Sequence, residues 1–430
     1  MSEARQNLPV GEAELDSLVV DAQQAHLVTD LLAPLVKDTE TNDRLDLTLV
    51  TLTDADAAVR LLRDREADLP AALDPTWSTL DELLCRLRSI FRSTYGWVPS
   101  LGKNRIMSGI QFVTYPFAEA VGGPQPSSGA VAQEQRRQAR PGAGAGVWVG
   151  LPDTALYQQA DLAGRFIAAR EALLPTTPPE QGWMYYDGHS AVVADLVLTQ
   201  APAAQLDIRP VVEPQAPAAA AATVWKVAAG LIGFLDAGVQ IVNCSWVCFT
   251  RDNVAPLVLE RAVGVLTPTV LVVAAAGNHG LAVPAGPDPR QPWPYSPAWP
   301  AALPQVVAVG ALDGLVPAEF NPVSIDGRSL APWVDVLAPG IDVEAAYFGG
   351  PDRAELVRVP RFPLTVPPTY EGKLFTGAAR WSGTSFAAAT VTGAIAARTS
   401  PGRSASAALT ALLDEPNSPV QPAGQRPMPG

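Results

Sequence analysis

The chain has 430 residues, with 43 acidic against 30 basic side chains, a net charge of −13 and three cysteines. That length allows one large core and an additional small domain, and the acidic balance argues against a nucleic-acid partner. Three cysteines cannot all pair internally, and the longest apolar run, near 254–277, is broken by Glu260, Arg261 and Pro268, so neither a disulfide framework nor a membrane span is expected.

In chain order, the first fifty residues hold ten acids against three bases. They carry no basic head and no apolar stretch, so no signal peptide is expected and the location expected is cytoplasmic, with Cys244 and Cys248 as reduced, partly buried thiols. The patterning predicts a helix over 13–36, a strand over 45–52, helices over 53–67 and 79–94, and a strand over 109–115. Residues 1–121 thus read as a small α+β unit. Residues 122–146, rich in Gly, Pro, Ser, Gln and Arg, are expected to form a flexible linker.

Beyond the linker, apolar runs near 147–151, 206–212, 239–243, 269–275, 305–311 and 334–338 read as strands buried on both faces. Helical patterns lie at 190–200, 218–237, 253–266 and 384–398. This alternation predicts an α/β domain over 147–415 with a doubly wound, mostly parallel sheet. Such sheets place active sites outside the carboxyl ends of their strands. A Pro- and Gly-rich insertion near 349–375 reads equally as a loop over the cleft or a surface excursion. Residues 416–430, rich in Pro and Gln, are expected to be disordered.

The chemistry concentrates in Trp381-Ser-Gly-Thr-Ser-Phe-Ala-Ala-Ala-Thr-Val-Thr-Gly393. Ser385 stands there at the start of a helix of small residues, where its hydroxyl feels the positive end of the helix dipole. Ala387, Ala388, Ala389, Gly393 and Ala394 let that helix pass close to its neighbours. A nucleophilic serine needs a base, an orienting group and oxyanion donors. Among three histidines, His26 lies in a polar-faced helical stretch and reads as a surface residue. His189 lies where a turn runs into an apolar helix, so the helix can anchor its imidazole. Asp153 ends the apolar run Gly146-Val-Trp-Val-Gly-Leu-Pro-Asp153, and Asn278 ends Val270-Leu-Val-Val-Ala-Ala-Ala-Gly-Asn278, where its amide can donate to an oxyanion.

These blocks resemble those of subtilisin-like serine proteases over about residues 140–415, in the order Asp153, His189, Asn278, Ser385. Asp187-Gly-His-Ser-Ala-Val-Val-Ala194 is similar to D-x-H-G-T-x-V-A. Val239-Gln-Ile-Val-Asn-Cys-Ser245 is similar to V-x-V-I-N-M-S, and Ala275-Ala-Gly-Asn-His-Gly280 to A-A-G-N-x-G. Tyr295-Ser-Pro-Ala-Trp-Pro-Ala-Ala-Leu-Pro-Gln-Val-Val-Ala-Val-Gly-Ala311 and Val334-Asp-Val-Leu-Ala-Pro-Gly340 match two further blocks. The resemblance implies a serine endopeptidase acting on a peptide or protein substrate, with Asp153, His189 and Ser385 as a triad and Asn278 in the oxyanion hole. It also implies a cleft wall at Ser245 and Trp246, and a pocket floor at Ala275, Ala276 and Gly277 for the side chain before the scissile bond. Calcium often stabilises this family, but no acid cluster has ligand-like spacing, so no metal or other cofactor is assigned.

Departures from the pattern are Ala155, Ser190, Asp195, Val247 and Ala389. They read as packing changes, or as a narrowed cleft in which Trp246 and Val247 exclude substrates. His279 is expected to be a solvated loop residue. For residues 1–121 two readings stand: an inhibitory prodomain released near Arg136-Arg-Gln-Ala-Arg140, or a permanent domain that binds the protease domain or a partner protein. The function expected is a selective intracellular processing protease. The alternative is an inactive protease fold kept as a peptide-binding module.

Overall fold

The computed structural model describes residues 13–65, 77–108, 122–215, 219–250, 252–281, 292–361, 369–416 and 418–424; the strand expected over 109–115 lies outside them. The N-terminal unit runs β1 (Ala13–Asp21), α1 (Ala25–Leu31), β2 (Val36–Asn42), β3 (Leu47–Leu52), α2 (Ala55–Arg63), α3 (Thr79–Tyr95) and β4 (Leu101–Ser108). Local chemistry starts its helices: Asp54 accepts from the Ala57 amide at 2.8 Å, and Ser78 with Asp81 forms a capping box.

The helix expected over 13–36 is instead a strand, a short helix and the start of a second strand. β1 is central, antiparallel to β3 (Leu18↔Val50) on one side and to β4 (Leu18↔Lys103) on the other. Its alternation serves two cores. Leu18 and Val20 join the helices of the unit, whereas Val19 joins the main core with Leu47 and Met107. Burial on both faces overrides the helix propensity of the Ala, Leu and Glu around it.

The stretch expected to be a flexible linker contains β5 (Gln125–Ser127) and α4 (Ala130–Gln138). Both are held by partners far along the chain, which composition cannot reveal. After them come β6 (Trp148–Asp153), β7 (Phe166–Ala168), β8 (Trp183–Met184), α5 (His189–Gln200), β9 (Gln205–Pro210), β10 (Glu213–Gln215), β11 (Ala219–Thr223), α6 (Val224–Ile232), β12 (Ile241–Cys244), α7 (Leu257–Leu266) and β13 (Leu271–Ala275). The chain continues through β14 (Val307–Asp313), β15 (Val316–Pro317), β16 (Val336–Pro339), β17 (Val343–Ala346), β18 (Glu355–Pro360), β19 (Tyr370–Phe375), β20 (Ala378–Trp381), α8 (Thr384–Ala396), α9 (Ala405–Leu413) and β21 (Gln421–Pro422).

The central sheet has the order β21-β16-β14-β13-β12-β6-β9-β7, with β15 paired to β14. From β16 to β7 every neighbouring pair is parallel; β21 and β15 are antiparallel additions. The chain leaves β6 toward β9 and β7 on one side, and later builds β12, β13, β14 and β16 on the other. The order therefore reverses between β6 and β12, and crevices form at such switch points. This is the doubly wound α/β domain expected. The pairing of β21 with β16 also orders part of the tail expected to be disordered.

The N-terminal unit shares a second sheet with the larger domain, in the order β10-β11-β4-β1-β3-β2, antiparallel throughout. The helix expected over 218–237 accordingly begins as β11, paired with β4 through Ala221↔Ser108. At this junction Asn104 accepts from the Trp225 amide (3.2 Å), Glu40 from the Trp225 indole (2.9 Å), and Arg105 meets Asp252 (2.6 Å). Among the described residues no helix is long and apolar enough to cross a membrane, and no group of three or more His, Cys, Asp or Glu side chains is placed to hold a metal ion.

Candidate active site

Asp153 is the last residue of β6 and His189 the first of α5, and both are buried. His189 Nδ1 lies 2.9 and 3.1 Å from the two carboxylate oxygens of Asp153. The carboxylate accepts, so Nδ1 carries the proton and Nε2 keeps its lone pair. The Thr154 amide donates to Asp153 Oδ1 at 2.7 Å, and the Ser190 amide donates to Thr154 Oγ1 at 3.3 Å. Strand end and helix start are thus tied on both sides of the pair. Nε2 of His189 is buried and makes no hydrogen bond among the described residues. The rings of Trp381 and Phe386 flank the imidazole at 5.9 and 5.5 Å.

Ser385 is the second residue of α8 and is partly exposed. Small residues were expected to let this helix pass close to its neighbours, and Gly393 shows the need. A Cβ there would stand 2.6 Å from the carbonyl oxygen of Val197 on α5. Ser385 Oγ donates to the Ser245 carbonyl (3.0 Å), and Ser245 Oγ donates to the Ser385 carbonyl (2.8 Å). Behind them Asn243 donates to Ser245 Oγ (2.8 Å) and accepts from Thr392 Oγ1 (2.9 Å), which pins β12 to α8.

Asn278 follows β13. Its Oδ1 accepts from the Thr384 amide (2.9 Å) and from Thr384 Oγ1 (3.0 Å), while Thr384 Oγ1 accepts from the Gly277 amide (3.1 Å). With the oxygen committed to a backbone N–H, Nδ2 is left as a donor beside Gly383, in the turn that leads to Ser385. A base oriented by a carboxylate, a hydroxyl at a helix start and an amide donor can together perform acyl transfer.

Not every expectation survives. Trp246, expected in the cleft wall, is buried, and its indole donates to the Pro152 carbonyl at 2.7 Å, so its side chain braces β6. His279 is fully buried rather than solvated: it pairs with the Ser296 carbonyl at 2.9 Å and packs edge-on to Phe249, and burial pushes it down to about 4. Asp195 is more than a packing change. It accepts both Arg136 Nη2 bonds at 2.7 Å and the Ala346 amide at 2.7 Å. Burial also pushes the Asp187 carboxyl, two residues before His189, up to about 6. Ala275, Ala276 and Gly277 are buried, and His26 is exposed.

The insertion near 349–375 forms the hairpin β18–β19, and β18 runs parallel to β8, which leads into the turn Tyr185–Gly188 before His189. Tyr347 donates to the Tyr185 carbonyl at 2.5 Å. No sequence signal separated this brace from a surface loop.

The family model for the subtilase family matches residues 144–409, more than half of the chain. The chain belongs to the subtilase family. This subtilase has the subtilisin-like fold. Fervidolysin from Fervidobacterium pennivorans, a keratinolytic enzyme related to subtilisin, is similar to it with 18% identity and a TM-score of 0.51, over 91% of this chain and 55% of that one. The subtilase thus spans about half the length of fervidolysin. The MycP3 protease from the type VII (ESX-3) secretion system is similar at 22% identity and a TM-score of 0.44, over 74% of this chain and 90% of that one. The patellamide maturation protease PatA is similar at 23% identity and a TM-score of 0.42, over 65% and 92%. At these identities the likeness is one of fold. No curated protein sequence matches the subtilase.

Proposed function

We propose that Asp153, His189 and Ser385 are the catalytic triad of a selective intracellular processing endopeptidase, with Asn278 Nδ2 and the Ser385 amide as the oxyanion donors. The observation that carries this reading is the His189–Asp153 pair, which leaves Nε2 of the imidazole without a hydrogen-bond partner among the described residues. For attack, the Ser385 hydroxyl leaves the Ser245 carbonyl and gives its proton to Nε2 as Oγ bonds to the substrate carbonyl carbon. Such contacts commonly tighten only with substrate present. The imidazolium, stabilised by Asp153, then protonates the leaving amine as the C–N bond breaks, and water repeats the sequence in reverse on the acyl-enzyme.

Three free thiols, two of them buried, support a reducing compartment; burial pushes the Cys248 thiol up to about 12. The N-terminal unit is, in this reading, a permanent domain rather than a prodomain released at Arg136–Arg140. Its shared sheet and the engagement of Arg136 by Asp195 and Asp161 support this. Labelling of the full-length protein with a fluorophosphonate tests the site: modification that disappears in Ser385→Ala supports it, and labelling retained in that variant refutes it.

A further inference from the structure

We infer that the pocket for the residue before the scissile bond is filled by the protein's own side chains, so this protease cuts only after glycine, alanine or a residue of similar size. The inference rests on the triad reading above and concerns its substrate class. Residues 247–249, which follow the expected cleft wall at Ser245 and Trp246, and residues 298–300, whose Ala298 lies beside Gly277 of the expected floor, are joined to each other. The Cys248 amide donates to the Trp299 carbonyl at 2.7 Å and the Trp299 amide returns the bond at 2.9 Å, an antiparallel bridge.

Side chains alternate across such a bridge, which turns Cys248 and Trp299 into the main core. Val247, Phe249 and Ala298 share the other face and pack as a separate buried cluster, with 6, 5 and 0% of their surfaces exposed. The neutral imidazole of His279 closes the space behind them, its ring centroid 4.6 Å from that of Phe249. Gly277, on the expected pocket floor, has φ +102°. A Cβ on it would stand 2.6 Å from His279 Nδ1 and 3.5 Å from the Ala298 Cβ. Floor, wall and back are thus in mutual contact. A large side chain entering here must displace packed atoms, whereas a hydrogen or a methyl group need not.

The test compares two peptidyl diphenyl phosphonates, identical except for alanine or phenylalanine at the position before the phosphorus, on the full-length protein. The alanine probe should label Ser385 at least about 100-fold faster than the phenylalanine probe, the scale of discrimination available to steric exclusion. In Val247→Gly, and in the gentler Phe249→Ala, the ratio should fall by about tenfold or more. Equal or faster labelling by the phenylalanine probe in the wild type overturns the inference. So does an unchanged ratio in either variant that still melts cooperatively. A small fluorophosphonate separates the two levels of the argument. If it labels Ser385 while the phosphonates show no size preference, the triad stands and the filled pocket is wrong. If it labels nothing, both fall together.

Discussion

Ser385 and Ser245 exchange hydrogen bonds: each hydroxyl donates to the other's backbone carbonyl, at 3.0 and 2.8 Å. The nucleophile candidate is thereby held against the end of β12, and Ser245 in turn receives the amide of Asn243. Ser245→Ala should leave Asn243 Nδ2 without its acceptor in a buried place, a cost of about 1–3 kcal/mol. Thermal unfolding should move down by several degrees, and the fluorophosphonate rate should change as well. An unaltered melting temperature would show that the exchange adds nothing to the fold.

Asn278 anchors Thr384 through Oδ1, and its Nδ2 lies beside Gly383. In the role proposed for it, Asn278→Ala should cost about 10²–10³ in turnover, the scale known for an oxyanion amide in subtilisin itself. Steady-state assays should show the loss in kcat rather than in KM. A rise in KM alone would assign Asn278 to substrate binding and not to the oxyanion.

Arg136 reaches Asp195 on the same helix that begins with His189, while Glu344 accepts from the Val131 and Ala132 amides at 2.6 and 3.0 Å and from the Ser127 hydroxyl. β5 also pairs with β20, the strand that leads into the Ser385 turn. Residues 125–138 therefore clasp the elements carrying both residues. Arg136→Met leaves Asp195 buried without its partner and should destabilise by about 3–5 kcal/mol, with Arg136→Met/Asp195→Leu recovering much of that loss. Denaturant titration of the two variants checks this; a double variant no more stable than the single one counts against the clasp. N-terminal sequencing of the purified protein should find no cut within 136–140.

Asp187 titrates abnormally: burial lifts it to about 6, against the single backbone bond from Met184 that favours its ionised form. The folded protein binds this proton more tightly than the unfolded chain. The contribution to stability is therefore complete below about pH 4 and is lost as pH rises through about 6. Asp187→Asn keeps an acceptor for Met184 and has no charge to bury. It should be more stable than the wild type at pH 8 by about 1–3 kcal/mol, with the gap shrinking toward pH 4. Melting curves across that range measure it, and a gap that widens at low pH would reverse the sign of the argument.

The order of Asp153, His189, Asn278 and Ser385, and the apolar runs that became β6, β9, β12, β13, β14 and β16, were legible in the amino-acid sequence alone. Strands buried on both faces and small-residue helices write their constraints locally, and residue types needed for acyl transfer recur in fixed neighbourhoods. Tertiary structure alone decided the rest. β1 became a strand because two neighbours cover it, although its residues favour a helix. Residues 125–138 became ordered because Glu344 and Asp195, more than fifty residues away along the chain, supply acceptors for them. His279 is neutral, and the Ser385 hydroxyl faces Ser245, because of what packs around each of them. Burial and pairing between distant segments are properties of the assembled fold, so composition and spacing carry no record of them.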